Sequence, residues 1–358
     1  MKKLLFVLLF GFTFGCQSAP VETAVEVEAS PTVEEEVEVV EEEPLEFWEG
    51  WEYGPVVLNS DEGFDYFPVD PEAFVLPDGR VRLWVDEGGG GSLLRTFTSD
   101  DGINFVPEDV PLIPGNFPSV VVTPDGKYRM YVARFDREKN NTPIGSFISD
   151  DALNWTEEEG ARSYGRESAA VVLEDGRVLL AIRRDSTRDQ STWDPLWPDP
   201  PTDIWFAISE DGLNFEDVRE VVNGVDASVD EPELSGRTYG VEVTRLSTGE
   251  VVMHIDGGIP GYFIEINETT LETSGLIESP LRGDPVFEAY EFIGPDGQPD
   301  EFQKGGAGGD QTFIVLNGKD VSYADLLDRY SEPTPGEPDR PQSVNHRQRV
   351  VMMIRENY

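Results

Sequence analysis

The sequence of 358 residues predicts an all-β protein made of five similar units, each of four short antiparallel strands, and two repeated motifs are the basis of this prediction. The first motif is an apolar strand, a turn that contains Asp-Gly, and an alternating strand, which together are typical of a β-hairpin. It reads FVLPDGRVRLWV from Phe74, VVVTPDGKYRMYV from Val120 and AVVLEDGRVLLAI from Ala170. Two weaker copies have their turns at Gly249 and Gly297.

The second motif alternates with the first along the chain. It reads SDDGINF from Ser99, SDDALNW from Ser149 and SEDGLNF from Ser209. Such turns, which end in an aromatic residue, suit a tight outer hairpin whose ring packs between neighbouring sheets. Each unit therefore contains two hairpins, which is the composition of one propeller blade, and the fold expected is a five-bladed β-propeller.

The end of the chain is expected to close the ring. The segment RVVMMIR from Arg349 is predicted to pair with an N-terminal strand near Tyr53. One helix is predicted, over residues 323–330, because YADLLDRY has the composition of a helix.

The N-terminal segment predicts export. Residues 1–15 combine two lysines with a short apolar run, which is typical of a signal peptide. The run ends at Gly15-Cys16 and resembles the lipobox of bacterial lipoproteins, so Cys16, the only cysteine, is expected to be lipidated; ordinary signal cleavage is the alternative. Residues 16–46 are predicted to form an acidic tether and residues 47–358 the propeller. The expected location is the bacterial cell envelope, on the periplasmic or surface side of the outer membrane.

The composition excludes several classes of function. With 27 Lys and Arg against 71 Asp and Glu, the net charge is −44, which is incompatible with an electrostatic nucleic-acid binder. One cysteine and two histidines rule out a disulfide framework, a Cys-rich metal site and an all-His metal site. No cofactor is required, but Ca²⁺ is possible in the channel or in an acidic insertion at residues 223–235. A monomer that is attached to the membrane only through its lipid is expected.

A second insertion, residues 186–203, interrupts the third unit. Long loops on a rigid scaffold often carry function. Trp193 and Trp197 lie in this insertion among prolines and are candidates for stacking on a sugar. The alternative is that both rings pack down to hold the loop.

The two motifs resemble those of the five-bladed propeller glycoside hydrolases of families 43, 32 and 117. The resemblance implies that the inner strands of the first three blades begin with a base Asp, an orienting Asp and an acid Glu. The corresponding residues, nine before each turn glycine, are Asp70, Phe117 and Glu167. Asp70 is thus the candidate base or nucleophile and Glu167 the candidate acid, whereas Phe117 departs from the pattern.

Further charged residues occur at the ends of the strands that return from the hairpins. These are Asp86, Arg183 and Asp256, and Glu242 lies near His254. Charges in such apolar surroundings need a partner or solvent. They are therefore either ion pairs between strands or groups that line the cavity and bind substrate.

The resulting hypothesis is a lipid-anchored glycoside hydrolase that uses paired carboxylates on an oligo- or polysaccharide. The first alternative is a non-catalytic surface propeller that binds a glycan or a protein. The second is a sialidase-like exo-glycosidase, in which Arg134, Arg166 and Arg183 hold a carboxylate and Tyr239 and Glu242 form the nucleophile pair.

Overall fold

A computed structural model gives the fold of the chain. It describes residues 50–59, 68–87, 93–134, 142–186, 202–223, 240–256, 261–278, 308–327, 331–334, 337–343 and 348–355. All of them belong to one compact unit, Pro44–Tyr358. The predicted signal peptide, Cys16 and the acidic tether lie outside the described residues, and so do Trp193, Trp197 and most of the acidic insertion.

The described chain is all-β and forms five four-stranded antiparallel blades. The N-terminal strand is β1 (Trp51–Asn59). Blade 1 contains β2 (Val69–Val75), β3 (Val81–Asp86), β4 (Leu93–Ser99) and β5 (Val106–Pro107), with β6 (Ile113–Pro114) also paired to β4. Blade 2 contains β7 (Asn116–Val122), β8 (Tyr128–Ala133), β9 (Pro143–Ser149) and β10 (Thr156–Tyr164). Blade 3 contains β11 (Glu167–Val172), β12 (Val178–Asp185), β13 (Thr202–Ser209) and β14 (Glu216–Val222).

The last two blades complete the ring. Blade 4 contains β15 (Gly240–Arg245), β16 (Val251–Asp256), β17 (Tyr262–Ile266) and β18 (Ile277–Glu278). Blade 5 contains β19 (Gly308–Leu316) and β20 (Lys319–Leu327); after a separate hairpin of β21 (Ser331–Thr334) and β22 (Glu337–Ser343), the chain returns as β23 (Gln348–Arg355). The inner strands β2, β7, β11, β15 and β19 each pack against the next, and β19 packs against β2.

The predicted closure is confirmed. Strand β1 is the outermost strand of blade 5 and pairs with β23, with Tyr53 opposite Met353 and Val56 opposite Val351. The two ends of the propeller domain therefore hold one blade together through backbone hydrogen bonds, so the ring cannot close without both.

Two predictions for blade 5 are wrong. The segment from Tyr323 is not a helix but part of β20, which pairs with β19 on one side and β23 on the other. Central strands are buried on both faces, and this pairing outweighs the helical composition of the segment. The first hairpin of this blade turns at Asn317-Gly318, with φ of 53° and 80°, and not at Gly297. Two consecutive positive φ values are typical of a type I′ turn.

The hydrophobic core is divided into five clusters, each between two neighbouring blades. The aromatic residues of the second motif belong to this packing, as predicted. Each packs edge-on against a ring of the preceding blade: Phe105 on Tyr323, Trp155 on Trp84, and Phe215 on Tyr131, with centroids 5.6–5.8 Å apart.

The same contacts explain a difference between copies of the motif. The hydroxyl groups of Tyr323 and Tyr131 donate to the carbonyl oxygens of Gly102 and Gly212, each at 2.8 Å. A Cβ at either glycine would lie 2.9 Å from that hydroxyl oxygen. In blade 2 the facing ring is that of a tryptophan, which has no such hydroxyl, and the chain has Ala152 there with a φ of 56°.

Truncation of the chain after residue 347 should abolish the cooperative fold. It removes β23, which is hydrogen-bonded to β1 and β20, so blade 5 loses its third strand and the ring its closure. We expect loss of the near-ultraviolet circular dichroism signal and of the cooperative thermal transition. Deletion of residues 1–46, which precede the first described strand, is the control and should leave both intact. A truncated chain that still melts cooperatively would contradict the closure.

Candidate functional site

Side chains of the inner strands connect each blade to the next around the axis. In four of these contacts, a backbone N–H group of the following inner strand donates to a side-chain oxygen, which belongs to Glu72, Ser119, Glu167 or Thr312. In the fifth, the Thr244 hydroxyl donates to a backbone carbonyl of the following strand. The contacts are Val120 N to Glu72 Oε1, Ala170 N to Ser119 Oγ (2.9 Å), Val241 N to Glu167 Oε1 (2.7 Å), Thr244 Oγ1 to Phe313 O (3.3 Å) and Ala73 N to Thr312 Oγ1 (3.3 Å). We call this set the axial ring.

A small cavity lies where the inner strands begin. Its volume is about 20 Å³, and it is lined by Asp70, Pro71, Phe117, Pro118, Glu167, Ser168, Val241, Glu242 and Gln311. These residues come from all five inner strands, so this axial cavity lies on the propeller axis. It brings together Asp70, Glu167 and Glu242, three of the residues that the sequence singled out.

Asp70 and Phe117 have the same unusual backbone. Their φ values are 49° and 48°, and each residue precedes a proline at a bulge in its hairpin. A residue other than glycine in the left-handed region costs about 1–3 kcal/mol, and such strain concentrates at functional sites. Blades 1 and 2 thus present residues to the axial cavity in the same way, although one side chain is a carboxylate and the other an aromatic ring.

Glu167 is held by two partners. Its side chain is buried; Oε1 accepts from the Val241 amide and Oε2 lies 3.0 Å from Nε of Arg183. Arg183 is directly opposite Glu167 in the β11–β12 pair. The guanidinium carbon of Arg183 also lies 5.9 Å from the ring centroid of Phe117. This ion pair stabilises the ionised carboxylate, whereas a general acid has to carry a proton.

Glu242 lines the axial cavity and is only partly buried. Its neighbour across the β15–β16 pair, His254, is buried against the rings of Phe263 and Phe313, at centroid distances of 4.9 and 5.7 Å. Both ring nitrogens of His254 are within 2.8 Å of Nε2 of Gln311, which lines the same cavity. His254 thus belongs to the core between blades 4 and 5.

A larger cavity of about 360 Å³ follows the later part of the inner strands, and Glu72 lines it. Sequence reasoning missed Glu72, which lies two residues after Asp70. The Thr312 hydroxyl donates to Oε2 of Glu72 at 2.8 Å, and the Val120 amide donates to Oε1. Burial raises the pKa of Glu72 to about 8, although these hydrogen bonds act in the opposite direction. The signal in the sequence is an acidic residue inside an apolar strand.

Of the other two strand-end candidates, the structure describes the side chain of Asp86 only. Asp86 is buried at the end of β3 and is not among the residues that line this cavity. Asp256 ends β16, but its side chain lies outside the described residues.

The three arginines of the sialidase-like alternative have separate partners. Arg134 pairs with Glu157 at 2.7 Å, Arg166 pairs with Asp185, and Arg183 pairs with Glu167. Their guanidinium groups are therefore directed to different carboxylates and not to one point, and Tyr239 lies outside the described residues. The geometry does not form the predicted arginine clamp.

Clusters of metal ligands and membrane-spanning helices are both absent from the described residues. In that part of the chain, no group of three or more His, Cys, Asp or Glu side chains is arranged to hold a metal ion. No helix in the same part has the length and hydropathy to span a membrane. The acidic insertion proposed for Ca²⁺ is outside the described residues, apart from Asn223.

The architecture defines a five-bladed β-propeller, and comparisons with solved structures find enzymes that have a similar fold. The chain is similar to an α-L-arabinofuranosidase from Lactobacillus brevis, with a TM-score of 0.54 and 13% identity over 80% of this chain and 92% of that one. It is similar to a thermostable family-43 glycoside hydrolase, with a TM-score of 0.52 and 13% identity over 80% and 88%. It also resembles a family-32 β-fructofuranosidase from Bombyx mori, with a TM-score of 0.53 and 14% identity over 84% and 62%.

These similarities confirm, for the fold, the resemblance that the motifs indicated. The chain has the five-bladed propeller of family-43 and family-32 glycoside hydrolases. No protein-family model matches the sequence, and the search of curated proteins gives no match either.

Replacement of Glu72 by Gln should change how stability depends on pH. The pKa of Glu72 in the folded protein lies above its ordinary value of 4.5, so the folded state binds the proton more tightly. The free energy of unfolding therefore falls as the pH rises from about 4.5 to about 8, by up to about 1.4 kcal/mol per pH unit. Glu72→Gln removes this slope while an amide still accepts from Val120 and donates to Thr312.

Urea unfolding of both proteins between about pH 5 and about pH 8 measures the difference. The variant should become the more stable protein, relative to wild type, as the pH increases. Glu216→Gln, at an exposed position on β14, is the matched control and should follow the wild-type curve. Parallel curves for Glu72→Gln and wild type would contradict the raised pKa.

Proposed function

We propose that the protein hydrolyses glycosidic bonds of an oligo- or polysaccharide beside the axial cavity, with Asp70 and Glu167 as the reacting carboxyl groups. The cavity itself, at about 20 Å³, has room for a water molecule and not for a sugar ring. The observation that carries the proposal is that these two acids, which are 97 positions apart in the sequence, line one small cavity on the propeller axis. Two carboxyl groups beside one bond are the minimum for this chemistry. The strained backbone of Asp70 and the fold shared with glycoside hydrolases support the same conclusion.

Asp70 acts as the base or nucleophile and Glu167 as the acid. Since Arg183 stabilises the charged form of Glu167, this role requires that Arg183 moves away from Oε2 when the carboxyl group takes up its proton. A sugar hydroxyl that accepts from the guanidinium would provide Arg183 with an alternative partner. The distance between the two carboxyl groups in the substrate complex then determines whether the reaction retains or inverts configuration.

A second candidate function is a propeller that binds a glycan without cleaving it. Two observations favour it: Phe117 occupies the position of the expected orienting Asp, and Glu167 is committed to Val241 and Arg183. A buried carboxylate with two fixed partners can serve the structure alone. The two candidates differ in what Asp70 does, because only hydrolysis needs its carboxylate to react.

Replacement of Asp70 by Asn separates the two functions. As a hydrolase, the protein should lose roughly 10²–10⁴-fold in kcat, since the amide is neither a base nor a nucleophile, while substrate binding persists. A screen of furanosides and algal oligosaccharides supplies the substrate, and reducing-end release measures the rate. Asp78→Asn, at an exposed position in the turn of the same hairpin, is the control.

Glu167→Gln is the companion variant. The Gln side chain can still accept from the Val241 amide, so the fold should be retained while the acid is lost. Thermal melting verifies that each variant is folded. Wild-type protein that binds a glycan of the screen but releases no reducing ends would overturn the hydrolase and support the binding propeller.

We further propose that the protein is exported and anchored in the bacterial cell envelope through a lipid on Cys16, with residues 17–46 as a solvated spacer. The apolar run, the lone cysteine and a segment rich in Glu without Lys or Arg support this placement. The protein acts there as a monomer on carbohydrate, and no cofactor is needed for the proposed hydrolysis. Ca²⁺ at residues 223–235 is retained as a proposal on the basis of their carboxylates alone.

Replacement of Cys16 by Ser should move the protein from the membrane fraction to the soluble fraction of a bacterial expression host. The thiol is the acceptor for the lipid, and the hydroxyl is not an equivalent nucleophile. Immunoblotting of fractions and the mass of the mature N-terminus report the result. Ser18→Ala, two residues further on, is the control. Unchanged membrane association of Cys16→Ser would contradict lipid anchoring.

A further inference from the structure

A third concave surface lies between blades 2 and 3 and has no part in the proposed catalysis. We call it the Arg162 groove. Its volume is about 590 Å³, and it includes Arg162, Tyr164, Arg166, Arg184, Asp185 and Asp217. That volume is in the range of sites for small ligands. The groove and the axial cavity include consecutive residues of the chain, since Arg166 directly precedes Glu167.

The walls of the groove are fixed by Arg184. Its two terminal nitrogens donate to both carboxylate oxygens of Asp217 at 2.8 and 2.7 Å, and Nε donates to the Tyr164 carbonyl at 3.0 Å. The guanidinium also donates to Ser163 Oγ at 2.9 Å and lies 5.6 Å from the ring centroid of Trp205. The end of β10 in blade 2 is thus attached to β13 and β14 in blade 3, which makes the surface preorganised.

Arg162 has a different environment from the other two arginines. Arg184 and Arg166 are neutralised by Asp217 and Asp185, whereas Arg162 donates only to neutral acceptors: Ser146 Oγ at 2.8 Å, Leu213 O at 3.3 Å and Glu159 O at 2.7 Å. Among the described residues, no carboxylate is within ion-pair distance of Arg162. Each of its nitrogens uses one N–H, so two of the five donors of the guanidinium are available to a ligand.

The charge of the groove therefore opposes that of the protein. Its three arginines and two aspartates give a net charge of +1, while the whole chain has −44. An unneutralised guanidinium in such a protein is the group that a carboxylate or sulfate would bind.

Tyr164 supplies an aromatic surface beside this charge. Its side chain is 52% exposed at the end of β10. An exposed ring can stack on the apolar face of a sugar, and the neighbouring Arg–Asp pairs offer both donors and acceptors to hydroxyl groups. A protein partner would need a much larger surface than this groove.

We propose that the Arg162 groove binds an acidic oligosaccharide, with the acid group on Arg162 and an adjacent sugar ring on Tyr164. The acid group is a uronate carboxylate or a sulfate ester, which share the chemistry that Arg162 recognises. This inference goes beyond the proposed hydrolysis, because binding in the groove requires neither Asp70 nor Glu167.

Calorimetric titration of the full chain with three probes tests the proposal: a trigalacturonate, a sulfated trisaccharide and the neutral xylotriose. At least one acidic probe should bind about tenfold or more tightly than xylotriose, and which one binds identifies the acid group. Arg162→Gln should remove that preference, and Tyr164→Ala should weaken binding by about tenfold while the preference for the acidic probe persists.

Two controls complete the experiment. Arg80→Gln changes an exposed, ion-paired arginine in the turn of blade 1 and should bind as wild type. Asp78→Asn, at an exposed position outside both sites, should also bind as wild type. Because calorimetry measures binding and not bond cleavage, failure of the hydrolase proposal is distinguishable from failure of this one. Because Tyr164 is exposed, its variant tests the site even if Arg162→Gln does not fold. Equal binding of acidic and neutral probes, or unchanged affinity in Tyr164→Ala, would overturn the proposal.

Discussion

The fold depends on the axial ring, in which a side chain of each inner strand hydrogen-bonds to the backbone of the next. The inner strand is the edge of its blade. Its amides on the side of the channel have no partner within the blade and would otherwise be left without one. An unsatisfied buried donor costs about 1–3 kcal/mol, and the ring satisfies such donors on blades 1 to 4. Apolar clusters fill the space between the blades, and these hydrogen bonds connect each inner strand to the next.

This constraint explains why two acids are buried at the centre of a strongly acidic protein. Glu72 and Glu167 both accept a backbone amide of the following blade, so both are structural in the first place. They differ in the partners of their carboxyl groups. Glu72 has hydroxyl and amide partners, and its pKa is raised to about 8, whereas Glu167 has the cationic Arg183. Asp70 is outside the axial ring, which makes it the stronger candidate for chemistry.

The sequence was sufficient for the architecture because the repeats encode local structure. Asp-Gly turns and the aromatic residues of the second motif depend on near neighbours, and both occupied the predicted places in blades 1 to 3. Blade 5 was misread because its inner hairpin uses Asn317-Gly318 and because β20 is defined by pairing with distant strands. The geometry of the candidate site was predictable only in part. Counting from the turns selected Asp70 and Glu167, which both line the axial cavity, but the pairing of Arg183 with Glu167 depends on register across two strands. Glu72 was missed because a bulge changes the direction of side chains in β2.

The distribution of charge around the axis connects the two proposed sites. Asp70, Glu167 and Glu242 with Arg183 give the axial region a net charge of −2, which would stabilise the positive charge that develops on a sugar during glycoside cleavage. The same charge repels an acidic sugar from the axial cavity. The Arg162 groove, whose Arg166 directly precedes Glu167 in the sequence, has the opposite sign. Electrostatics therefore favours an acidic sugar unit in the groove and a neutral unit at the axis, which gives the two sites different ligand preferences.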